Sequence, residues 1–257
     1  MVNQTCQLLF HNPPSSSLTW FVFFSTICSY NFHWWLTPFS VIVSKRAEWT
    51  LRHRDLNLLL CLLGLAGSLF FFFSLIEHWM ALSFAAFITF LYSAPKIPQN
   101  LFKQLKDIAV GKTIFLALVW MFVTTLLPVF SENHSLVVAD LVFAVSRFCL
   151  IYSICILFDY RDREDDKKEG IRSMITYLTE KGIDRLFFLT LLVFLISTVC
   201  MAFCGFSGKL ILILLVPGLM TALLYRRARK DFSDYLYYFV LDGLMMLSSA
   251  VTLFNYF

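Results

Sequence analysis

Long apolar runs alternate with polar, mostly charged connections along the whole chain. A run of about 20 apolar residues can cross the hydrocarbon core of a bilayer as a helix. The pattern predicts eight such spans, at Ser17–Leu36, Leu56–Ile76, Trp79–Ala94, Thr113–Phe130, Leu136–Phe158, Arg185–Cys204, Leu210–Tyr225 and Tyr235–Tyr256. We therefore expect an all-α, multi-pass bundle that forms a single transmembrane domain over residues 1–257, with no soluble domain.

The basic residues are distributed unevenly between the connections. Of the 21 lysines and arginines, all except Arg147 and Lys209 lie on the connections that follow the first, third, fifth and seventh spans. Connections rich in Lys and Arg remain in the cytoplasm, so these four are predicted to be cytoplasmic and both termini to lie outside. The basic group Arg226–Lys230 is interpreted as an anchor that meets anionic lipid.

Composition supports the membrane assignment. The chain is 59% hydrophobic and contains 29 phenylalanines, which excludes an ordinary soluble domain. In such a chain the net charge of +4 does not indicate a nucleic-acid partner. The seven cysteines lie mostly inside apolar runs and form no C-x-x-C pair, which favours buried hydrophobes over disulfides or zinc ligands.

The most charged stretch is Phe158–Gly170, directly after the fifth predicted span. Asp159, Asp162 and Asp166 are spaced so that a helix would place them on one face. At about 4 Å, two such carboxylates repel each other by roughly 1 kcal/mol in water and about 4 kcal/mol near a protein surface. A bound Mg²⁺ would relieve that repulsion. Alternatively, the stretch is a solvated loop whose acids pair with its own basic residues, Arg161, Arg163, Lys167 and Lys168.

Two motifs resemble those of a known family. Asp159-Tyr160-Arg161-Asp162, then Asp166, Gly170 and Arg172-Ser173, resembles the second aspartate-rich motif of the UbiA prenyltransferase superfamily, most closely its menaquinone-type branch. Tyr92-Ser93-Ala94-Pro95-Lys96 is similar to the Y-P-x-x-K element of that family, with the proline moved.

The resemblance implies a UbiA-like helical bundle that transfers an isoprenoid chain from a prenyl diphosphate to a lipophilic acceptor, with Mg²⁺ as cofactor. It implies an integral protein of a bilayer, and we expect the bacterial inner membrane. By the same resemblance, Asp159, Asp162 and Asp166 are the expected metal ligands, and Asp162, Asp166 and Lys96 the expected catalytic residues. The diphosphate would be bound by Arg161, Arg172, Tyr92 and Asn31.

The chain also departs from the family pattern. At the position of the first aspartate-rich motif, Asn31 matches, but Phe32 and Trp35 stand where aspartates are expected. The resemblance implies nine spans and the pattern predicts eight, so we expect the first to be missing, with Gln4–Phe10 as its remnant. These departures leave open a second hypothesis, a catalytically inactive UbiA-fold protein that binds a lipid or a partner protein.

Two charged residues are predicted inside the membrane. Arg147 lies roughly 16 Å from the cytoplasmic end of its span, and Asp242 lies within the last span. Because a charge in a span requires a partner or a wet cavity, we predict either an Arg147–Asp242 ion pair or an Arg147 that orients a polar head group. The same two charges prompt a third hypothesis, a transporter, for which the chain lacks clear inverted repeats.

Overall fold

The computed structural model describes residues 1–36, 45–93, 112–132, 135–168 and 173–255. Nearly all of these residues are helical and none of them forms a strand, which confirms the all-α prediction. The α-helices are α1 (Val2–Phe10), α2 (Ser16–Trp35), α3 (Lys45–Arg52), α4 (Arg54–Ser74), α5 (Trp79–Ser93), α6 (Lys112–Met121), α7 (Leu127–Ser131), α8 (Val138–Lys168), α9 (Met174–Tyr177), α10 (Glu180–Cys200), α11 (Gly208–Ala228) and α12 (Asp242–Asn255). Phe122–Leu126 and Tyr235–Leu241 form π-helical turns.

Within the described residues, six helical segments are long and apolar enough to cross a membrane. They are Arg54–Ser74, Thr113–Ser131, Val138–Lys167, Glu180–Cys204, Gly208–Ala228 and Tyr235–Leu253. The first predicted span is present as helix α2, but its polar Ser, Thr, Asn and His residues keep it outside this group. The third corresponds to the shorter α5, of 15 residues. The multi-pass prediction therefore stands, with six spans by this measure where eight were predicted.

The chain divides into two compact units. An N-terminal unit comprises Pro14–Asp107, and a C-terminal unit comprises Met1–Pro13 with Ile108–Phe257. In the N-terminal unit α2 and α4 pack closely because α4 presents glycine: a Cβ at Gly64 would lie 2.6 Å from the backbone nitrogen of Cys28. The single-domain prediction stays a prediction.

Helix α8 is the central helix of the C-terminal unit. Of its most apolar stretch 72% is buried, against 22% for α4, and it packs against α6, α10, α11 and α12. Leu150, Ile151 and Ile154 are fully buried on it, within the largest apolar cluster. Polar groups in its buried part must therefore be hydrogen-bonded, either within the helix, as Ser153 is to the Leu150 carbonyl, or to a neighbouring helix, as Ser146 is to Thr198.

Helix α8 does not end where its apolar run ends. It continues from Phe158 through Lys168, so the described part of the acidic stretch is the end of a 31-residue helix. These residues are therefore helical where the alternative had a loop, and the helical spacing of the three aspartates is confirmed, although some of the local ion pairs of that alternative do form. At the other end of the chain, α1 contains Gln4–Phe10 and is buried in the C-terminal unit, where the Thr5 hydroxyl donates to the Thr124 carbonyl at 2.8 Å.

Candidate functional site

The last turns of α8 carry the three aspartates on one face. Asp159, Asp162 and Asp166 are each partly buried, so their carboxylates are neither sealed in the core nor fully solvated. The hydroxyl of Thr113, near the start of α6, donates to Asp159 Oδ2. Because Thr113 itself is buried, this contact fixes the first aspartate of the face against a neighbouring helix.

Arg161 holds the second aspartate in position. Its Nε donates to Asp162 Oδ1 at 2.7 Å and its Nη2 approaches Oδ2 at 3.4 Å, in a fork geometry. The same Nη2 donates to the Tyr238 hydroxyl at 2.8 Å. The Arg161 side chain is 13% exposed and that of Asp162 is 48% exposed. The arginine is thus buried behind the carboxylate, which faces outward.

Three aromatic rings surround the Arg161 guanidinium. Its central carbon lies 5.4 Å from the ring centroid of Phe158 and 4.8 Å from each of Tyr237 and Tyr238. Tyr237 and Tyr238 are consecutive, and both contact Arg161 from the π-helical turn Tyr235–Leu241, whose wider backbone differs from that of an α-helix. Cation–π attraction therefore stabilises the arginine in its forked orientation.

A second charged network joins the ends of α8, α10 and α11, and we call it the Arg229 network. The Arg229 guanidinium forms ion pairs with Glu180 and Asp184, and Glu180 is also paired with Arg163. The Arg229 guanidinium carbon lies 4.7 Å from the ring centroid of Tyr160. The network consists of Tyr160, Arg163, Glu180, Asp184, Tyr225 and Arg229.

Local structure positions the members of the Arg229 network. The Thr179 side chain caps α10 by accepting from the Gly182 N–H at 3.2 Å, so Glu180 lies in the first turn. Burial opposes the charge of Arg229, but its hydrogen bond to Tyr160 and the nearby Asp184 raise the pKa of its guanidinium above the ordinary value. Arg229 was predicted to be part of a lipid anchor; within the described structure it instead ties three helices together.

The family model for the UbiA prenyltransferase family matches residues 51–240 of the chain. The match covers most of the sequence and includes the acidic end of α8, Arg161 and the Arg229 network. The chain belongs to the UbiA prenyltransferase family. No curated protein and no solved structure matches it significantly. The match begins after Asn31, so the position of the first acidic motif lies outside the matched residues.

Because the chain belongs to the UbiA family, the question is whether these carboxylates could hold Mg²⁺. No group of three or more His, Cys, Asp or Glu in the described ranges is placed to hold a metal. Protein sites for Mg²⁺ beside phosphates commonly use only one or two carboxylates, with water and phosphate oxygens as the other ligands. Asp162 and Asp166, one turn apart on α8, meet that requirement, so the donor set fits Mg²⁺ held jointly with a diphosphate.

The remaining predicted UbiA site residues are less well defined. Lys96 and Arg172 lie outside the described residues, and Tyr92 belongs to the last turn of α5. Asn31 lies on α2 in the N-terminal unit, where its side-chain amide donates to the Ile27 carbonyl of the same helix at 2.8 Å. The Phe32 and Trp35 rings, which occupy the expected aspartate positions, stack with centroids 6.4 Å apart.

The predicted ion pair between Arg147 and Asp242 is not the contact that the structure shows. Arg147 Nη1 donates to the Ser248 hydroxyl at 3.0 Å, whereas Asp242 is exposed. Arg147 lies at the level of Ser248 and not of Asp242. Ser248 is six residues further along the last helix than Asp242, a separation of about 9 Å along the helix axis.

Several contacts at the end of α8 were not predicted from the sequence. The alternative to a metal site paired the acids with the basic residues of the same stretch, and such pairs occur for Arg161 with Asp162 and for Lys167 with Glu164. Arg163 instead pairs with Glu180, from another helix. The sequence feature that could have indicated this contact is the spacing of Glu180 and Asp184, two acids one turn apart at the start of a helix.

Proposed function

We propose that this protein is a Mg²⁺-dependent prenyltransferase of the membrane, which transfers an isoprenoid chain from a prenyl diphosphate to a lipophilic acceptor. The observation that carries the proposal is the orientation of Asp162 by a buried, forked arginine at the end of the central helix. UbiA family membership supports the same reaction class. The proposed location is the bacterial inner membrane, with the acidic end of α8 on the cytoplasmic side.

Asp162 and Asp166 would hold the metal, with Asp159 in support. Bound Mg²⁺ would neutralise the charge that the diphosphate acquires as its bond to the prenyl carbon breaks. Thr113 and Arg161 keep the carboxylates in place before substrate arrives, so little reorganisation is needed during the reaction. Lys96 and Arg172 remain the proposed cationic contacts of the leaving diphosphate, and Tyr92 and Asn31 further contacts of the same group.

The role proposed for Arg161 differs from direct diphosphate binding. Its Nε and Nη2 groups are engaged by Asp162 and Tyr238, and its face is covered by aromatic rings. An arginine used in this way has few donors left for a substrate. We therefore assign Arg161 as a positioning residue that acts through Asp162.

A second candidate function is that of a non-catalytic UbiA-fold protein. The observation that favours it is the stacked Phe32–Trp35 pair at the positions of the first acidic motif, because aromatic rings supply no ligand for a second metal. Such a protein would bind a lipid or a partner protein without turning over prenyl diphosphate.

The two functions can be separated in membrane vesicles that contain the purified protein. Radiolabelled prenyl diphosphates of several chain lengths are supplied with Mg²⁺ and a lipid extract as the source of acceptors, and labelled product is followed by chromatography. The Asp162→Ala/Asp166→Ala variant is compared with Glu164→Ala, since Glu164 lies in the same acidic stretch but is exposed and paired with Lys167.

We expect transfer by the wild type and by Glu164→Ala, and none by the double variant. Wild-type protein that neither forms product nor binds diphosphate in the presence of Mg²⁺ would refute the enzyme proposal and leave the non-catalytic function.

A further inference from the structure

The middle of α8 contains a buried positive charge that no described residue balances. Arg147 is 2% exposed. Its guanidinium carbon lies 5.1 Å from the ring centroid of Phe143, and Nη1 donates to Ser248 at 3.0 Å. Its Nε and Nη2 have no hydrogen-bond partner in the described chain, and no carboxylate offsets the burial of its charge. Arginine supplies five donors and no acceptor, so the unmet requirement is for acceptors.

A second buried donor lies close by. Gln4 of α1 is 2% exposed, and its side-chain carbonyl accepts from the Ser249 hydroxyl at 2.7 Å and from Ser248 at 3.4 Å. Both serines engage the amide oxygen, and the amide nitrogen is buried with no partner in the described chain. Helices α1, α8 and α12 thus bring Gln4 and Arg147 to the same serine.

The unpaired donors of Arg147 and Gln4, together with the buried charge of Arg147, favour an anion over any neutral group. A buried polar group without a hydrogen bond destabilises the fold, and a buried unpaired charge destabilises it more. Water would satisfy the donors but would leave the guanidinium charge unbalanced. A single negative charge would satisfy both requirements.

We propose that Arg147 and Gln4, which Ser248 holds side by side, bind a small monovalent inorganic anion, which is chloride in cells. A monovalent ion is favoured because the Arg147 guanidinium carries one positive charge, and a doubly charged phosphate or sulfate would lose far more hydration energy on entering. A small ion is favoured because Gln4, Arg147 and Ser248 are almost completely sealed from solvent. The anion would link α1 and α8 of the C-terminal unit, and it is independent of the proposed prenyl transfer.

The test measures the unfolding temperature of the full-length protein in detergent. Gluconate is exchanged for chloride, bromide or sulfate at constant ionic strength. We expect chloride and bromide to raise the midpoint saturably, by about 5 °C or more at concentrations far above the dissociation constant, because a ligand that binds only the folded state stabilises it. Sulfate should have no such effect.

Two variants separate specific binding from a general salt effect. Arg147→Met keeps much of the apolar stem but removes the charge, and its midpoint should not respond to chloride. Gln4→Glu places a carboxylate beside Ser248 and should replace the anion, so this variant should be as stable in gluconate as the wild type is in chloride.

Equilibrium dialysis with radiolabelled chloride checks the wild type and Gln4→Glu directly, even if Arg147→Met does not fold. Retention of the label by the wild type alone is the expected result. A wild-type midpoint that is the same in gluconate and chloride, equal label retention by both proteins, or a chloride response that survives in Arg147→Met, would overturn the proposal.

Discussion

Two arginines on the same helix have opposite environments. Arg161 and Arg147 lie about 21 Å apart along α8. Arg161 is enclosed by a carboxylate, a phenol and three aromatic rings. Arg147 has one hydroxyl and one aromatic ring, and two of its donor nitrogens lack a partner in the described chain.

The contrast distinguishes two uses of a buried cation. At the end of α8 the charge of Arg161 is satisfied by the protein itself, and the result is a carboxylate held in a defined orientation. In the middle of the helix the protein supplies donors without an acceptor, so the charge of Arg147 is available to bind something else. The first arrangement suits positioning, and the second suits binding.

The largest expected effect concerns the fork between Arg161 and Asp162. Arg161→Lys keeps the charge but loses the planar two-point geometry. We expect prenyl transfer to fall about 100-fold, because a small misplacement of a catalytic group can cost that much. The turnover rate is compared with that of Arg163→Lys, whose arginine pairs with Glu180 and not with the proposed metal face. Equal rates in the two variants would show that Arg161 does not position Asp162.

A smaller effect is expected when the Arg229 network, whose charges also pair with one another, is disrupted. Arg229→Met removes the cation that pairs with both Glu180 and Asp184. Both acids are substantially exposed, so the expected loss in the free energy of unfolding is about 2 kcal/mol, less than for a fully buried ion pair. Thermal unfolding in detergent should then shift down by about 4–8 °C.

The matched control for Arg229 is Arg227→Met. Arg227 is 69% exposed and its contact with Asp231 is long, at 3.6 Å, so its loss should cost less than about 0.5 kcal/mol. If the two variants lowered the midpoint equally, the Arg229 network would have no special role in stability.

The smallest effects compare a partnered hydroxyl with an unpartnered one. The Tyr237 hydroxyl donates to the buried Ala228 carbonyl at 2.7 Å, so Tyr237→Phe should destabilise the protein by about 1 kcal/mol. The buried Tyr152 hydroxyl has no partner in the described chain, so Tyr152→Phe should be neutral or slightly stabilising. Denaturation of both variants under the same conditions provides the measurement, and the opposite order would contradict this assignment of partners.

Much of the fold follows from the sequence because membrane helices have a strong local signal. The apolar run Leu136–Phe158 identified α8, and the aspartate spacing identified its acidic face. The end of α8 at Lys168 was not predicted, because hydropathy falls at Asp159 while the helix continues. Its charges are satisfied by Thr113, Tyr238 and Glu180 on other helices.

The partners of the charged residues were harder to predict than the helices that carry them. Arg147 was assigned to Asp242 because both are charged and intramembrane, yet the structure brings it to Ser248. Such pairing depends on the relative depth of two helices, which a single sequence does not encode locally. The π-helical turn that brings both Tyr237 and Tyr238 to Arg161 likewise has no signature in an aromatic-rich run.

The central claim, that the aspartates of α8 capture a diphosphate through a divalent ion, is tested most directly by binding without turnover. Purified protein is titrated with a radiolabelled prenyl thiolodiphosphate, which resists cleavage, in Mg²⁺ or in EDTA, for the wild type and for Asp162→Asn. We predict binding by the wild type in Mg²⁺, and affinity reduced about 100-fold by EDTA or by the substitution, equivalent to about 2.7 kcal/mol. Equal affinity under all four conditions would contradict the account.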